Sequence, residues 1–95
     1  MTNESDRQEQ NWKGFVDGYR KRNGTEWSTW PDKDKLLAKV GHEDIAIAVY
    51  GVNGEDWKLW LNYRSNALDR KTPLECLKTA EGTALVKKTL MRMHT

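Results

Sequence analysis

Trp60-Leu61, Ala67-Leu68, Thr72-Pro73-Leu74-Glu75 and Thr79-Ala80-Glu81-Gly82 follow one another closely in the last third of this chain. Thr72 is a helix N-cap, Pro73 suits the first helical position, and Glu75 completes a capping box. The helix it opens is short, through Leu74, Leu77 and Lys78. Thr79 then caps another helix, with Glu81 in its first turn. In that last helix Val86, Leu90 and Met93 recur at i, i+4, i+7, the stripe of one buried face. Upstream, Trp57, Trp60 and Leu61 give the apolar face of a helix capped by Asn53, with Glu55 and Asp56 at the positive end of its dipole. Residues 64–71 between these helices read as a polar loop whose Ala67-Leu68 pair folds back onto the core. The stretch specifies helices and offers almost no chemistry, so it describes a protein that works through a surface.

The same reading extends toward the N-terminus. Residues 1–10 are polar, lack periodicity and are expected to form a disordered tail. Trp12, Phe15, Val16 and Tyr19 repeat at helical spacing. Asn11 caps that helix, the basic run Arg20-Lys21-Arg22 suits its C-terminal end, and Gly24 stops it. Residues 23–31 are expected to be a loop carrying Trp27 and Trp30 up to Pro31. A second helix begins near Ser28–Asp32, covers Leu36, Leu37 and Val40, and ends at Gly41. A third, buried helix runs from about His42 to Tyr50 and stops at Gly51. The expectation is an all-α bundle of five to six short helices without a sheet, one domain over residues 11–95.

Composition narrows the function classes. The chain has 95 residues, 37% hydrophobic and 32% charged, with five Trp supplying much of the apolar bulk. A chain this size buries roughly two-thirds of its unfolded surface, enough for one modest core. Net charge is +2, and basic and acidic residues are balanced in both halves, which differs from the basic stripe of strong nucleic-acid binders. Cys76 is the single cysteine, so no internal disulfide is implied. The polar N-terminus has no apolar signal core and no apolar run approaches membrane-spanning length. The expected location is the cytoplasm.

The string Trp60-Leu61, Ala67-Leu68, Thr72-Pro73-Leu74-Glu75-Cys76-Leu77, Thr79-Ala80-Glu81-Gly82, Val86 and Leu90 resembles the C-terminal toxin-binding domain of the MbcA/ParS/Xre antitoxins. Val49-Tyr50-Gly51 resembles the apolar-aromatic-Gly helix end of that family. The resemblance covers about residues 43–93. It departs where the family has Gly-Gly after Ala-Leu, since Asp69-Arg70 stands here, and where Arg64-Ser65-Asn66 replaces Pro-Asn-Pro. Cys76 takes a usual Leu position. The resemblance implies an antitoxin-like module that neutralises a cognate toxin, often a RES-domain enzyme that consumes NAD. Many family members carry an N-terminal helix-turn-helix, and residues 1–40 do not read as one.

Candidate partner contacts lie in the loop and at the end of the last helix: Arg64, Asn66, Arg70, Lys87 and Arg92. With Lys71 and Lys88 they form a basic patch if the loop folds beside that helix; the plainer reading is a solvated face. Trp27 and Trp30, being in a loop, are candidates for an interface. His42 and His94 sit at helix boundaries without metal-ligand spacing. Cys76 reads as a small buried hydrophobe, and the pairs Glu43-Asp44 and Glu55-Asp56 as dipole complements. No catalytic residue, cofactor or metal is expected. The partner is expected to be a protein, with homo-oligomers a further option. The rival readings are a small nucleic-acid-binding regulator using Arg20-Lys21-Arg22 and the basic end of the last helix, and a phage- or plasmid-encoded inhibitor of another host protein.

Overall fold

A computed structural model of the protein describes residues 4–94, and their side chains from residue 8 onward except at 23, 25 and 94. Six helices follow in order: α1 (Glu4–Thr29), α2 (Lys33–Val40), α3 (Glu43–Asn53), α4 (Trp57–Leu61), α5 (Pro73–Cys76) and α6 (Ala80–His94). Short 3-10 turns at Gly54–Asp56 and Asn66–Leu68 complete the path. Among the described residues there is no sheet, only a single bridge between Ser65 and Lys71. The all-α expectation holds.

α3 is the central element. Its residues Ile45 to Tyr50 are buried without interruption, because α1, α2, α4 and α6 surround it. A helix that is apolar all round belongs in a core. It continues through Gly51, where the sequence places a stop, to Asn53. Gly51 serves a close approach there: a Cβ would lie 2.6 Å from Cγ of the Tyr19 ring on α1. Asn53 does not cap α4. Its Nδ2 donates back to the Val49 carbonyl at 3.0 Å, and a 3-10 turn separates it from α4.

α1 departs most from the sequence reading. It is one 26-residue helix, taking in residues 4–10 and running through the stretch expected to be a loop. Eleven residues separate Val16 from Trp27, about three turns plus 20°, so both project from nearly the same line on the helix. Trp12, Val16, Tyr19, Trp27 and, just past the helix, Trp30 are all buried. Trp27 and Trp30 are therefore core residues, not interface candidates. The Trp30 ring stacks 4.2 Å from Tyr50 and meets Trp57 edge-on at 5.8 Å. α2 then ends at Gly41, whose φ of 77° lets its N–H return to Leu37.

The C-terminal caps form as the sequence indicates. Thr72 Oγ1 accepts from the Glu75 amide at 3.1 Å, and Thr79 Oγ1 accepts from the Gly82 amide at 2.9 Å. Gly82 lies against α5: a Cβ there would sit 2.7 Å from the Cys76 carbonyl carbon. Any side chain would push α6 off α5. Leu68 plugs into the core at 1% exposure, but Ala67 beside it is exposed. Val86 and Leu90 are buried, whereas Met93, expected on the same stripe, is 43% exposed.

Candidate functional site

Three large apolar side chains stand out in water among the described residues: Leu59, Tyr63 and Met93. Tyr63 and Met93 flank one groove. α4 contributes Trp60 and, two residues beyond its end, Tyr63. The loop contributes Ser65, Ala67 and Leu68, α5 contributes Pro73, and α6 contributes Thr89, Arg92 and Met93. The groove encloses about 330 Å³. Its only charged lining residue is Arg92. Trp60 is half-buried here, packed on the core at one edge and lining the groove at the other, while Trp57 is the fully buried tryptophan of α4.

The loop that forms one wall is tightly tied. Ser65 O accepts the amides of Leu68 at 3.0 Å and Arg70 at 2.8 Å, and Lys71 N–H reaches Leu68 O at 3.0 Å. Asp69 and Arg70 both have left-handed backbone, with φ of 57° and 62°. Asp accepts this conformation more readily than most residues, and Arg does not. The Arg64 guanidinium braces the loop from beneath. Its Nη1 donates to the Arg70 carbonyl at 3.3 Å and pairs with Glu75 Oε1 at 3.2 Å. Glu75 also accepts the Thr72 hydroxyl at 3.2 Å, so brace and helix cap share one carboxylate.

The five candidate contacts thus separate. Arg64, Asn66 and Arg70 belong to the loop, with Asn66 exposed at its first helical position, and Arg92 faces the loop across the groove. Lys87 lies elsewhere. Its ammonium sits 5.5 Å from the centroid of the Trp12 ring and 3.4 Å from Glu9 Oε1, both on α1. Five residues along a helix turn the side-chain direction by about 140°, which puts Lys87 and Arg92 on different faces. Tyr63 and Met93 were not singled out by sequence reasoning. Tyr63 sits at the start of a polar loop, a small signal, and Met93 fits a core stripe.

A depression of about 380 Å³ runs along α1 past Trp12, Asp17 and Arg20 to Asp44. Two of its four charged residues are engaged: Asp44 accepts the Trp12 indole and Arg20 pairs with Glu43 at 3.0 Å, while Lys13 and Asp17 also line it. Arg22 of the same basic run stands 5.7 Å over the Tyr19 ring. No group of three His, Cys, Asp or Glu able to hold a metal gathers among the described residues. Cys76 is buried beneath the loop, and burial raises the pKa of its thiol. No described helix is long and apolar enough to cross a membrane.

An exposed apolar groove on a rigid helical frame is the anatomy of a protein-binding module. The family model of the antitoxin Xre/MbcA/ParS C-terminal toxin-binding domain matches residues 46–94, just over half of the chain and all of the groove. The chain belongs to this family, and its function is antitoxin-like binding. No curated protein and no solved structure matches the chain. Ahead of the matched region α1 is one continuous helix, and α2 meets α3 at the two-residue turn Gly41-His42, with α3 buried across its centre rather than turned outward as a recognition helix.

Proposed function

We propose that this protein neutralises a cognate toxin, a RES-type enzyme that consumes NAD, by laying the groove and its loop over the toxin's active site. The observation that carries the reading is the groove itself. It exposes Tyr63 and Met93 between the loop and the end of α6, within the family's toxin-binding region. Apolar side chains held out in water on a folded frame are spent on a partner. Arg64, Asn66, Arg70 and Arg92 frame this surface, and Lys87 contributes through the fold. In this reading residues 11–95 act as one unit in the cytoplasm, without catalysis of their own.

The test is co-expression with the protein encoded by the neighbouring reading frame. A RES-type neighbour that arrests growth alone, is silenced by this chain and co-purifies with it supports the proposal. The double variant Tyr63→Ala/Met93→Ala, still folded, should lose both rescue and co-purification. A neighbour that neither binds nor is silenced overturns the reading.

A further inference from the structure

We infer that Arg70 is the specificity-determining residue of the loop, held out at a strained turn to pair with a carboxylate on the protein partner, and that Arg64 positions it rather than touching the partner. The inference rests on the functional reading above. Its starting point is a mismatch between conformation and residue type. At φ 62° a glycine sits without strain, whereas an Arg carries its Cβ against its own backbone. Backbone hydrogen bonds hold the turn, but among the described residues no contact of the Arg70 side chain offsets the strain. The Arg70 side chain is exposed, and among the described residues its guanidinium makes no ion pair or hydrogen bond. Strained positions persist where the surrounding structure holds them, and they cluster at sites that do a task.

The surroundings say what task. The turn is rigid: Arg70 N–H is tied to Ser65 O and its carbonyl is held by Arg64. A guanidinium on a fixed base loses little freedom on binding and suits a planar carboxylate. Asp69 adjoins it and an apolar groove lies on the other side of the loop. Lys71 on the other side cancels the Asp69 charge, so the apolar flank is what fits a folded protein surface better than a phosphate backbone. Arg64 is exposed, but its Nη1 is held by both the Arg70 carbonyl and Glu75, and through that tie its influence on the partner runs through the turn.

The experiment measures thermal stability of the full chain and its affinity for the purified neighbouring-frame protein. Arg70→Gly should raise the melting temperature by about 4 °C yet weaken binding by about tenfold or more, as removal of a hot-spot contact does. Arg64→Gln should weaken binding of the parent chain but add little in the Arg70→Gly background, the signature of coupled residues. A melting temperature that falls in Arg70→Gly, or affinity that is unchanged, overturns the assignment of Arg70. Independent, additive losses overturn the positioning role of Arg64. If the unaltered chain itself does not bind, it is the functional reading that fails, a result separable from either.

Discussion

The indole Nε1 of Trp12 on α1 donates to Asp44 Oδ2 on α3 at 2.7 Å, the firmest polar tie between the two helices that dominate the core. Two similar pairs follow. Trp30 Nε1 donates to Glu55 at 3.0 Å, and the Tyr50 hydroxyl donates to Glu26 at 3.0 Å. Each aromatic body is buried while its polar tip meets a carboxylate at the core's edge. This solves the difficulty of packing tryptophans into a small domain, since a buried indole N–H needs a partner. It also changes the reading of Asp44 and Glu55, which do more than complement helix dipoles.

Replacing Asp44 by Ala should therefore cost about 1–3 kcal/mol, because the Trp12 N–H loses a charged partner at the core's edge. In a domain this size that lowers the melting temperature by about 4–8 °C for each kcal/mol. Asp44→Asn, which keeps an acceptor oxygen, should recover part of the loss. Urea denaturation of the three proteins checks this, and equal stability of Asp44→Ala and the parent would show the bond to be dispensable.

One substitution should have opposite signs at different glycines. Gly14 and Gly18 lie in α1 with nothing near a would-be Cβ, so Ala at either should stabilise by about 0.4–1 kcal/mol. Gly82→Ala drives a methyl into the Cys76 backbone, and Gly51→Ala into the Tyr19 ring. Overpacking of this kind costs about 1–3 kcal/mol. The backbone at Cys76 yields less readily than a ring, so Gly82→Ala should be the worse of the two. Melting curves of the four single variants give the ranking.

What could be read from the sequence was what is local. Thr72 and Thr79 cap their helices because a cap depends on residues three apart. The run Ile45 to Val49 alternates like a strand, and the acidic pair Glu43-Asp44 before it and the two alanines within it are what mark α3 as a helix. Trp27 and Trp30 were misplaced because Gly24 and the basic run before it imitate a helix end. The three-turn register linking Trp27 to Val16 is visible only if the helix is assumed to continue. The groove was not legible either. Whether Met93 is covered depends on where α4 and the loop lie against α6, a long-range matter. Arg64 and Arg70 were placed in the right loop, but only the left-handed turn separates brace from tip.

Stability should fall on the alkaline side. Burial raises the pKa of Tyr50, helped by its bond to Glu26, and burial likewise raises Tyr19 above the ordinary 10.0 and Cys76 above the ordinary 9.0. In each case the folded state holds the proton more tightly than the unfolded chain. The contribution is complete below the ordinary values and is lost as pH rises through the raised ones. Denaturation midpoints should thus decline from about pH 9 upward. Tyr50→Phe, which has no proton to lose, should flatten that decline. A profile unchanged by Tyr50→Phe and Cys76→Ala would point to other groups.

Lys87 and Arg92, one and a half turns apart on α6, should separate folding from binding. Lys87 spans Glu9 and the Trp12 face with its side chain 16% exposed. Its replacement by Ala removes a cation–π contact and a partly exposed ion pair, together worth about 1 kcal/mol. The affinity of whatever protein remains folded should be close to the parent's. Arg92→Glu reverses the one charged residue lining the groove and should abolish co-purification of the folded protein with the neighbouring-frame protein. Calorimetry on both variants reads the two quantities from the same samples. Should Lys87→Ala bind weakly while fully folded, the partner-binding surface extends around α6 toward α1, and the groove is only its edge.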